Sequence, residues 1–309
     1  NKTFGVYMKF AEPAASKNGA YLFCYFLGNR PNEERICFAV SKDGYNFTPL
    51  NDNRPVIEQK LGTRCCRDPF ILRGNDCFYI VATDMKSDDG WESNHGIVTF
   101  KSDDMIHWYD ECAVDFHSFD STADADKIWA PQAMYDEKTK KYMVYFSCHN
   151  KNSEKPLAIW YTYTADFKTF SNPSELFSSR SGLDVIDADI VKKDGKYHMY
   201  YKDECVKTIA HSISDSLCGE YREYDNNVVS CTERHVEGNC MYNITGTDTY
   251  VMIMDLYVDG GYYMQQTEDM MNFLPVDKKD FSLDFHPRHG SMLHITDDEY
   301  YVLIKNFSK

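Results

Sequence analysis

The sequence predicts an all-β fold, a five-bladed β-propeller in which N- and C-terminal strands close one shared blade. Aromatic-rich apolar runs recur five times along the 309 residues, about 50–60 residues apart, which suits one four-stranded blade per repeat. The same type of polar turn also recurs five times, and a β-sandwich or a pair of β domains would not require that repetition. No segment keeps an apolar period of about 3.6 residues, so we expect no long helices.

The stretch from Arg67 to Ala82 shows how a repeat is built. Asp68 stands before a proline and a short apolar run, and a polar turn at 74–76 leads into a second apolar run rich in aromatics. Runs of this length, separated by Gly and Asn or Asp, are typical of two antiparallel strands. Aromatic-rich strands are predicted in this way at 21–26, 77–82, 142–147, 197–201 and 250–254.

Each aromatic-rich strand is followed by a second strand and then by a turn that begins with Ser or Thr and ends in an aromatic residue. The side chain at the start can cap the turn, and the closing aromatic can fill the space between neighbouring blades. These turns lie at 41–47, 102–108, 164–170, 214–221 (a looser version) and 267–273.

Five further strands start with polar groups and become apolar, as expected for the first strand of each blade, which lines the propeller axis. They lie at 67–71, 129–134, 186–191, 236–241 and 288–293. Residues 1–57 have no such leading strand, whereas the fifth one lies near the C-terminus. We therefore expect the last strands to join the first ones in a shared blade, which removes two exposed edges and makes residues 1–309 a single domain.

Three of the five leading strands carry an acid: Asp68, Asp187 (with Asp189 two residues later) and Glu237. A carboxylate that activates water and a carboxylic acid that protonates the leaving oxygen are the minimum for breaking a glycosidic bond, and a third carboxylate nearby raises the pKa of the acid. A single acid of this kind more often caps a turn, but matched positions in three repeats favour catalysis. Asp187 and Asp189 share a strand face unless a bulge intervenes, so the choice between them is open.

The ordered set of motifs resembles glycoside hydrolase family 43, and the resemblance extends from Tyr21 to Ile295. It is carried by Arg67-Asp68-Pro69, Trp129-Ala130-Pro131, Ile186-Asp187, Glu237-Gly238 and His289-Gly290. The resemblance implies a five-bladed propeller that hydrolyses glycosides with inversion. It implies Asp68 as the general base, Glu237 as the general acid and Asp187 as the residue that tunes and orients the acid.

The chain departs from the family pattern at three positions. Ala188 and Asn239 stand where the family often has Pro, and Gln132 stands where an acid is frequent. The retaining family 32 fructosidases share an Arg-Asp-Pro but use a nucleophile motif, Asn-Asp-Pro-Asn, and residues 29–32 here lack that acid. The missing acid disfavours a retaining mechanism. The resemblance to family 43 implies an inverting exo-acting enzyme on α-L-arabinofuranosides, β-D-xylosides or galactofuranosides. The alternative is a carbohydrate-binding propeller without catalysis.

Five other residues are candidates for binding substrate. Arg67 can bond sugar hydroxyls, hold Asp68 or form a structural ion pair, and Trp91 lies in a Gly- and Ser-containing loop that suits an exposed stacking ring. Trp129 can form a pocket wall or fill the core. Arg288 and His289 begin the fifth leading strand, where the resemblance implies contact with substrate or with a central ion or water.

Composition limits the partners. The net charge of -15 argues against nucleic acid and anionic membranes, and leaves a neutral oligosaccharide or glycoside as the expected partner. No cofactor is expected beyond a structural ion or water near His289. The sequence has no Cys-x-x-Cys pair, so a structural zinc site built on cysteines is not expected. The 11 cysteines are expected to be mostly free and buried.

The compartment and the oligomeric state stay open. No apolar run reaches the roughly 18 residues needed to span a bilayer, so we expect a soluble protein. The chain does not begin with Met, so we expect its start to reflect processing or an artificial boundary, and a cytoplasmic or a secreted location is compatible with it.

Overall fold

The computed structural model describes residues 19–307, which form five four-stranded antiparallel sheets. The first three described strands belong to the first sheet, β1 Ala20–Tyr25, β2 Cys37–Ser41 and β3 Thr48–Pro49. The second sheet comprises β4 Cys66–Arg73, β5 Phe78–Asp84, β6 Gly96–Ser102 and β7 Trp108–Asp115. The third comprises β8 Ala125–Asp136, β9 Lys141–Asn150, β10 Ala158–Thr164 and β11 Ser174–Phe177.

The second half of the chain repeats the arrangement. The fourth sheet comprises β12 Val185–Lys193, β13 Lys196–Asp203, β14 Thr208–Ser214 and β15 Arg222–Val228. The fifth comprises β16 Glu237–Asn243, β17 Tyr250–Asp255, β18 Tyr262–Thr267 and β19 Leu274–Pro275. The chain then forms β20 Ser291–Ile295 and an α-helix, α1 Asp297–Phe307.

The ring is closed by strand β20, which pairs antiparallel with β1, so the first sheet has the order β20-β1-β2-β3. The inner strands β4, β8, β12, β16 and β20 contact one another in sequence, and β20 contacts β4. The predicted five-bladed propeller and its shared blade are therefore confirmed. The single-domain boundary of 1–309 stays a prediction, because residues 1–18 and 308–309 lie outside the described residues.

The hydrophobic core consists of five clusters, one in each space between neighbouring blades. Strand β1 contributes to two of these clusters. Leu22 packs toward the blade β4–β7, whereas the next residue, Phe23, packs toward the blade β16–β19. Successive strand residues point to opposite faces, and both faces are buried in this fold, so the strands read as continuous apolar runs.

The predicted turns are present and are held by their first side chains. Ser41 accepts hydrogen bonds from the backbone N–H groups of Asp43 and Gly44, and Asp43 in turn accepts from Tyr45 and Asn46. The turns at 102–108, 164–170 and 267–273 have the same bonds. Their closing aromatics pack against the cores between blades, as the sequence predicted.

Helix α1 covers the seam of the ring and was not predicted. Thr296 and Glu299 form a capping box, in which each side chain bonds the other's backbone N–H, and Leu303 is fully buried in the adjacent core. The Thr-x-x-Glu pattern before an apolar run is the sequence signal that indicates this helix. Within residues 19–307, no helix has the length and apolar character needed to cross a membrane.

Candidate active site

Four inner strands share the same irregularity close to the propeller axis. Strand pairing shifts by a bulge at residues 67–70, 129–132, 186–189 and 237–240. In each bulge one residue has a positive φ, namely Asp68 (50°), Ala130 (50°), Asp187 (57°) and Gly238 (57°). Left-handed backbone costs a residue other than glycine about 1–3 kcal/mol and clusters at functional sites. Two of the four bulges therefore place a candidate catalytic aspartate, Asp68 or Asp187, on strained backbone.

A cavity of about 270 Å³ lies where these inner strands begin. Its walls include all three predicted catalytic acids and four of the five predicted binding residues. The lining residues are Asn29, Arg67, Asp68, Met85, Trp91, Trp129, Ile186, Asp187, Glu237, Tyr257 and Arg288. His289 contacts two of the acids from behind the wall. The propeller thus brings together groups that are more than 160 residues apart in the sequence, from Asp68 to Glu237.

Asp68 is held as a carboxylate. It accepts a hydrogen bond of 2.9 Å from Thr83 Oγ1, and its Oδ1 lies 3.3 Å from His289 Nδ1. Burial alone would raise the pKa of Asp68, but the bond and charge of His289, the charge of Arg67 and the bond from Thr83 lower it below its ordinary value. An ionised carboxylate in a polar cavity has the protonation state that a general base requires.

The pKa of Asp187 is raised, in contrast to that of Asp68. Its Oδ2 accepts from Gly238 N at 2.9 Å, and its Oδ1 is 3.8 Å from His289 Nδ1. Burial raises the pKa of Asp187 to about 6; His289 lowers it, and the negative charges of Glu237 and Asp68 raise it. Asp187 is therefore the acid that experiences the like-charge repulsion expected at this site.

Asp189 does not line the cavity. The bulge between Ile186 and Asp189 separates the two acids, and Asp189 accepts a 2.6 Å hydrogen bond from Met241 N on the next blade. Burial raises its pKa to about 7. Asp189 thus ties two inner strands together, and Asp187 is the acid that faces the cavity.

Glu237 is surrounded by cations, which the sequence did not predict. Lys202 Nζ lies 3.0 Å from Glu237 Oε2, and Arg288 Nη2 lies 3.6 Å from Oε1. Each cation has a second acidic partner, Glu204 at 2.9 Å for Lys202 and Asp255 at 2.6 Å for Arg288. The side chain of Glu237 is 22% exposed, whereas that of Asp187 is 9% exposed. Glu237 is therefore a fixed carboxyl on the cavity surface.

His289 supplies the positive charge at the centre of the site. Burial opposes the charged form, but Asp187, Asp68 and Glu237 together raise the pKa of His289 to about 9. Gly238 permits this placement, because a Cβ there would lie 2.7 Å from His289 Cβ. The structural ion or water expected near His289 stays a prediction.

The aromatic wall of the cavity is formed by Trp91 and Trp129, whose rings meet edge to face at 6.4 Å. Trp91 is 49% exposed, as the loop composition predicted, and the indole N–H of Trp129 is buried with no hydrogen-bond partner among the described residues. Arg67 lies 5.0 Å from the Trp91 ring centre and forms an ion pair of 3.2 Å with Glu34. The exposed ring of Trp91 suits the apolar face of a sugar.

Residues that the sequence reasoning missed come from the ends of the second strands. At matched positions the end of each second strand pairs with the start of the inner strand, in the pairs Thr83–Arg67, Ser147–Trp129, Lys202–Ile186 and Asp255–Glu237. The available signal was a polar residue that ends each aromatic-rich run. Thr83, Lys202 and Asp255 bond directly to the candidate site residues.

A family model described as a probable glycosyl hydrolase domain, Glyco_hydro_43_rel, matches residues 17–301. The chain belongs to this glycosyl hydrolase 43-related family. The match covers most of the chain and includes every candidate site residue. The predicted family resemblance is therefore confirmed.

Two curated proteins are similar to this glycosyl hydrolase 43-related domain. An α-L-arabinofuranosidase of Bifidobacterium longum is 28% identical over 192 residues, which cover 55% of this chain and 18% of that protein. A 1,2-β-oligomannan phosphorylase of a Thermoanaerobacter species is 28% identical over 172 residues, which cover 54% of this chain and 52% of that protein. The matched segments thus span about half or less of either relative.

Solved structures show the same fold at low sequence identity. The family 43 protein BlXynB from Bacillus licheniformis aligns with a TM-score of 0.57 and 13% identity, covering 90% of this chain and 55% of that one. The catalytic domain of the family 62 α-L-arabinofuranosidase of Coprinopsis cinerea aligns with a TM-score of 0.56 and 13% identity, covering 74% of each chain. At such identities the likeness concerns the fold alone.

Proposed function

We propose that this domain is an inverting, exo-acting glycoside hydrolase that removes a terminal pentose or related sugar. The observation that carries the proposal is the meeting of Asp68, Asp187 and Glu237, from three different blades, around one cavity. Carboxyl groups on both sides of a bond are what inverting glycosidases use. Membership in a glycosyl hydrolase family supports the reaction type.

Asp68 acts as the general base in this proposal. Its carboxylate is ionised and oriented by Thr83 and His289, so it can take a proton from a water that attacks the anomeric carbon. Inversion requires the acid to lie on the other side of the sugar, with the two carboxyl groups roughly 6.5–9.5 Å apart. A crystal structure with a bound sugar analogue between Asp68 and Glu237 tests this spacing.

Glu237 is assigned as the acid because its side chain is more exposed than that of Asp187. Protonation of a leaving oxygen requires direct contact with it. Lys202 and Arg288 hold the Glu237 carboxyl in one position, and Asp187 contributes a nearby negative charge.

The cavity favours a small terminal sugar. Its volume of about 270 Å³ lies just below the roughly 300–1,000 Å³ typical of ligand pockets, which suits one sugar ring. Trp91 and Trp129 provide an aromatic wall for that ring. Similarity to an α-L-arabinofuranosidase supports arabinofuranosides as the first candidates, followed by β-D-xylosides and galactofuranosides.

The deciding experiment is release of nitrophenol from a panel of aryl glycosides, with Glu237→Gln and Asp187→Asn as matched isosteric variants. If Glu237 is the acid, Glu237→Gln loses activity on 4-nitrophenyl glycosides but retains much of it on 2,4-dinitrophenyl glycosides, whose leaving group does not need a proton. If Asp187→Asn shows that leaving-group pattern instead, the acid is Asp187. NMR of the first-formed anomer tests inversion independently of these variants.

Two other outcomes of this experiment would indicate a different function. No release from any glycoside, together with retained sugar binding, would indicate a carbohydrate-binding propeller. Release that depends on added orthophosphate would indicate a phosphorylase, the activity of one curated relative. We expect no phosphate dependence, because Arg67 and Arg288 on the cavity wall are already paired with Glu34 and Asp255.

A further inference from the structure

We propose that His95, Asp115 and His117 bind a divalent transition-metal ion, of which zinc is the main candidate, on the blade β4–β7. Each residue offers one ligand atom, and these atoms all lie within 4.8 Å of one another. None of the three lines the cavity, so this site is separate from the candidate active site. It also differs from the cysteine-based zinc site that the sequence argued against.

The backbone fixes these three residues against each other. Gly96 pairs with Asp115 at the end of the β6–β7 ladder, and Phe116 N donates a 2.9 Å hydrogen bond to His95 O. Phe116 itself is fully buried in the core between two blades. Asp115 and His117 on either side of this anchor therefore keep their positions relative to His95, and only side-chain torsions remain free.

The side chains are in states that suit metal binding. Asp115 Oδ1 accepts a 2.9 Å hydrogen bond from the backbone N–H of His117 and lies 2.8 Å from His95 Nδ1. His117 Nε2 lies 2.6 Å from the carbonyl oxygen of Ala125. A carbonyl only accepts, so Nε2 carries the proton and Nδ1 keeps a lone pair for a metal ion.

The two imidazole rings lie side by side, with centroids 4.1 Å apart and planes 17° apart. Ligands of a tetrahedral zinc ion lie roughly 3.4 Å from one another, given bonds of about 2.0–2.2 Å. The three side chains are exposed, so their torsions are free to adjust toward that spacing.

The donor set selects the class of ion. Two imidazoles and one carboxylate suit Zn²⁺, Cu²⁺ or Ni²⁺, whereas Mg²⁺ and Ca²⁺ prefer oxygen ligands only. Three protein ligands leave further coordination positions for water. His95 also ends the loop 85–95, which carries the cavity residue Trp91. A bound ion would therefore fasten this loop to the end of β7 and stabilise the blade.

The test is titration of the EDTA-dialysed chain with ZnCl₂ by calorimetry, alongside thermal unfolding with and without zinc. We expect one ion per chain with micromolar affinity and a rise of the unfolding midpoint by a few degrees. His95→Gln and His117→Gln should each weaken binding more than about 10-fold and abolish that rise. Unfolding without zinc reports separately whether each variant is folded.

His107→Gln is the matched control. His107 lies on the same blade and is also 2.8 Å from an aspartate, Asp104, but it has no second imidazole beside it. This variant should bind zinc as the natural chain does, and MgCl₂ should have no effect on any of them. Equal zinc binding by the natural chain and the double variant of His95 and His117 would overturn the proposal, because the ion would then be held elsewhere, for example by the exposed thiols.

Discussion

Replacing His289 by Gln removes the positive charge that lies between Asp68 and Asp187. The histidine has a pKa of about 9 in the folded chain against an ordinary 6.5, because Asp187, Asp68 and Glu237 outweigh the burial that opposes its charge. A group whose pKa is raised by folding stabilises the protein fully below its unfolded pKa, and this contribution is lost as the pH rises through the folded pKa. The window for His289 is therefore pH 6.5 to 9.

The size of the effect follows from these two values. Integrating proton binding between pH 6.5 and 8 gives a loss of roughly 1.5 kcal/mol in the free energy of unfolding. The side chain is only 6% exposed, so solvent screening does not reduce this figure much. Gln keeps hydrogen-bonding capacity toward Asp68 but does not titrate.

The assay is urea denaturation of the natural chain and of His289→Gln at pH 6.5, 7.0, 7.5 and 8.0, followed by tryptophan fluorescence. We expect the stability difference between the two chains to shrink by roughly 1.5 kcal/mol over this range. The comparison cancels the titration of groups whose pKa values do not depend on His289, such as His198 and His211.

A pH-independent difference would refute the reasoning. It would mean that His289 is neutral in the folded protein and that its contacts with the two aspartates are hydrogen bonds without a charge. A variant that is unfolded at every pH would leave the natural chain as the remaining readout. In that case hydrogen-exchange or NMR titration of His289 itself must show a value near 9.

Three further predictions concern catalysis. Asp68→Asn should lower kcat by about 10²–10⁴-fold with little change in KM, the range lost with a general base; unchanged kcat would remove Asp68 from that role. Lys202→Met should lower kcat more than it changes KM, because Glu237 loses the cation at 3.0 Å that holds its carboxyl in place; unchanged kcat would show that this contact does not position Glu237. Trp91→Ala should raise KM about 3–10-fold through loss of an aromatic contact, with unfolding nearly unchanged because the ring is 49% exposed; a fall in kcat alone would contradict stacking on substrate.

The architecture could be predicted because it repeats. Five polar turns and five leading strands gave the number of blades, and the missing leader in residues 1–57 gave the closure of the ring. Each of these signals depends on local sequence, since a Ser or Thr that caps a turn acts within four residues. The same signals placed Asp68, Asp187 and Glu237 at one end of the axis.

The electrostatics of the site could not be predicted in the same way. The bulge that separates Asp187 from Asp189 depends on strand register, which a single sequence does not specify. Lys202 and Asp255 reach Glu237 and Arg288 only through pairing between strands. For this reason the sequence placed like charges around Glu237, whereas the structure places two cations there and gives the like-charge environment to Asp187.

Strand β1 is the first described strand to leave the ribosome and β20 is the last, and these two strands pair to close the ring. The four intermediate blades can form while the chain is still being made, but the ring stays open until residues 291–295 arrive and pair with residues 20–24. Arg288 and His289 come in with that same segment. A chain that stalls or is cut before this point therefore loses its closure and its central imidazole together, so an incompletely synthesised molecule has no assembled site with which to act.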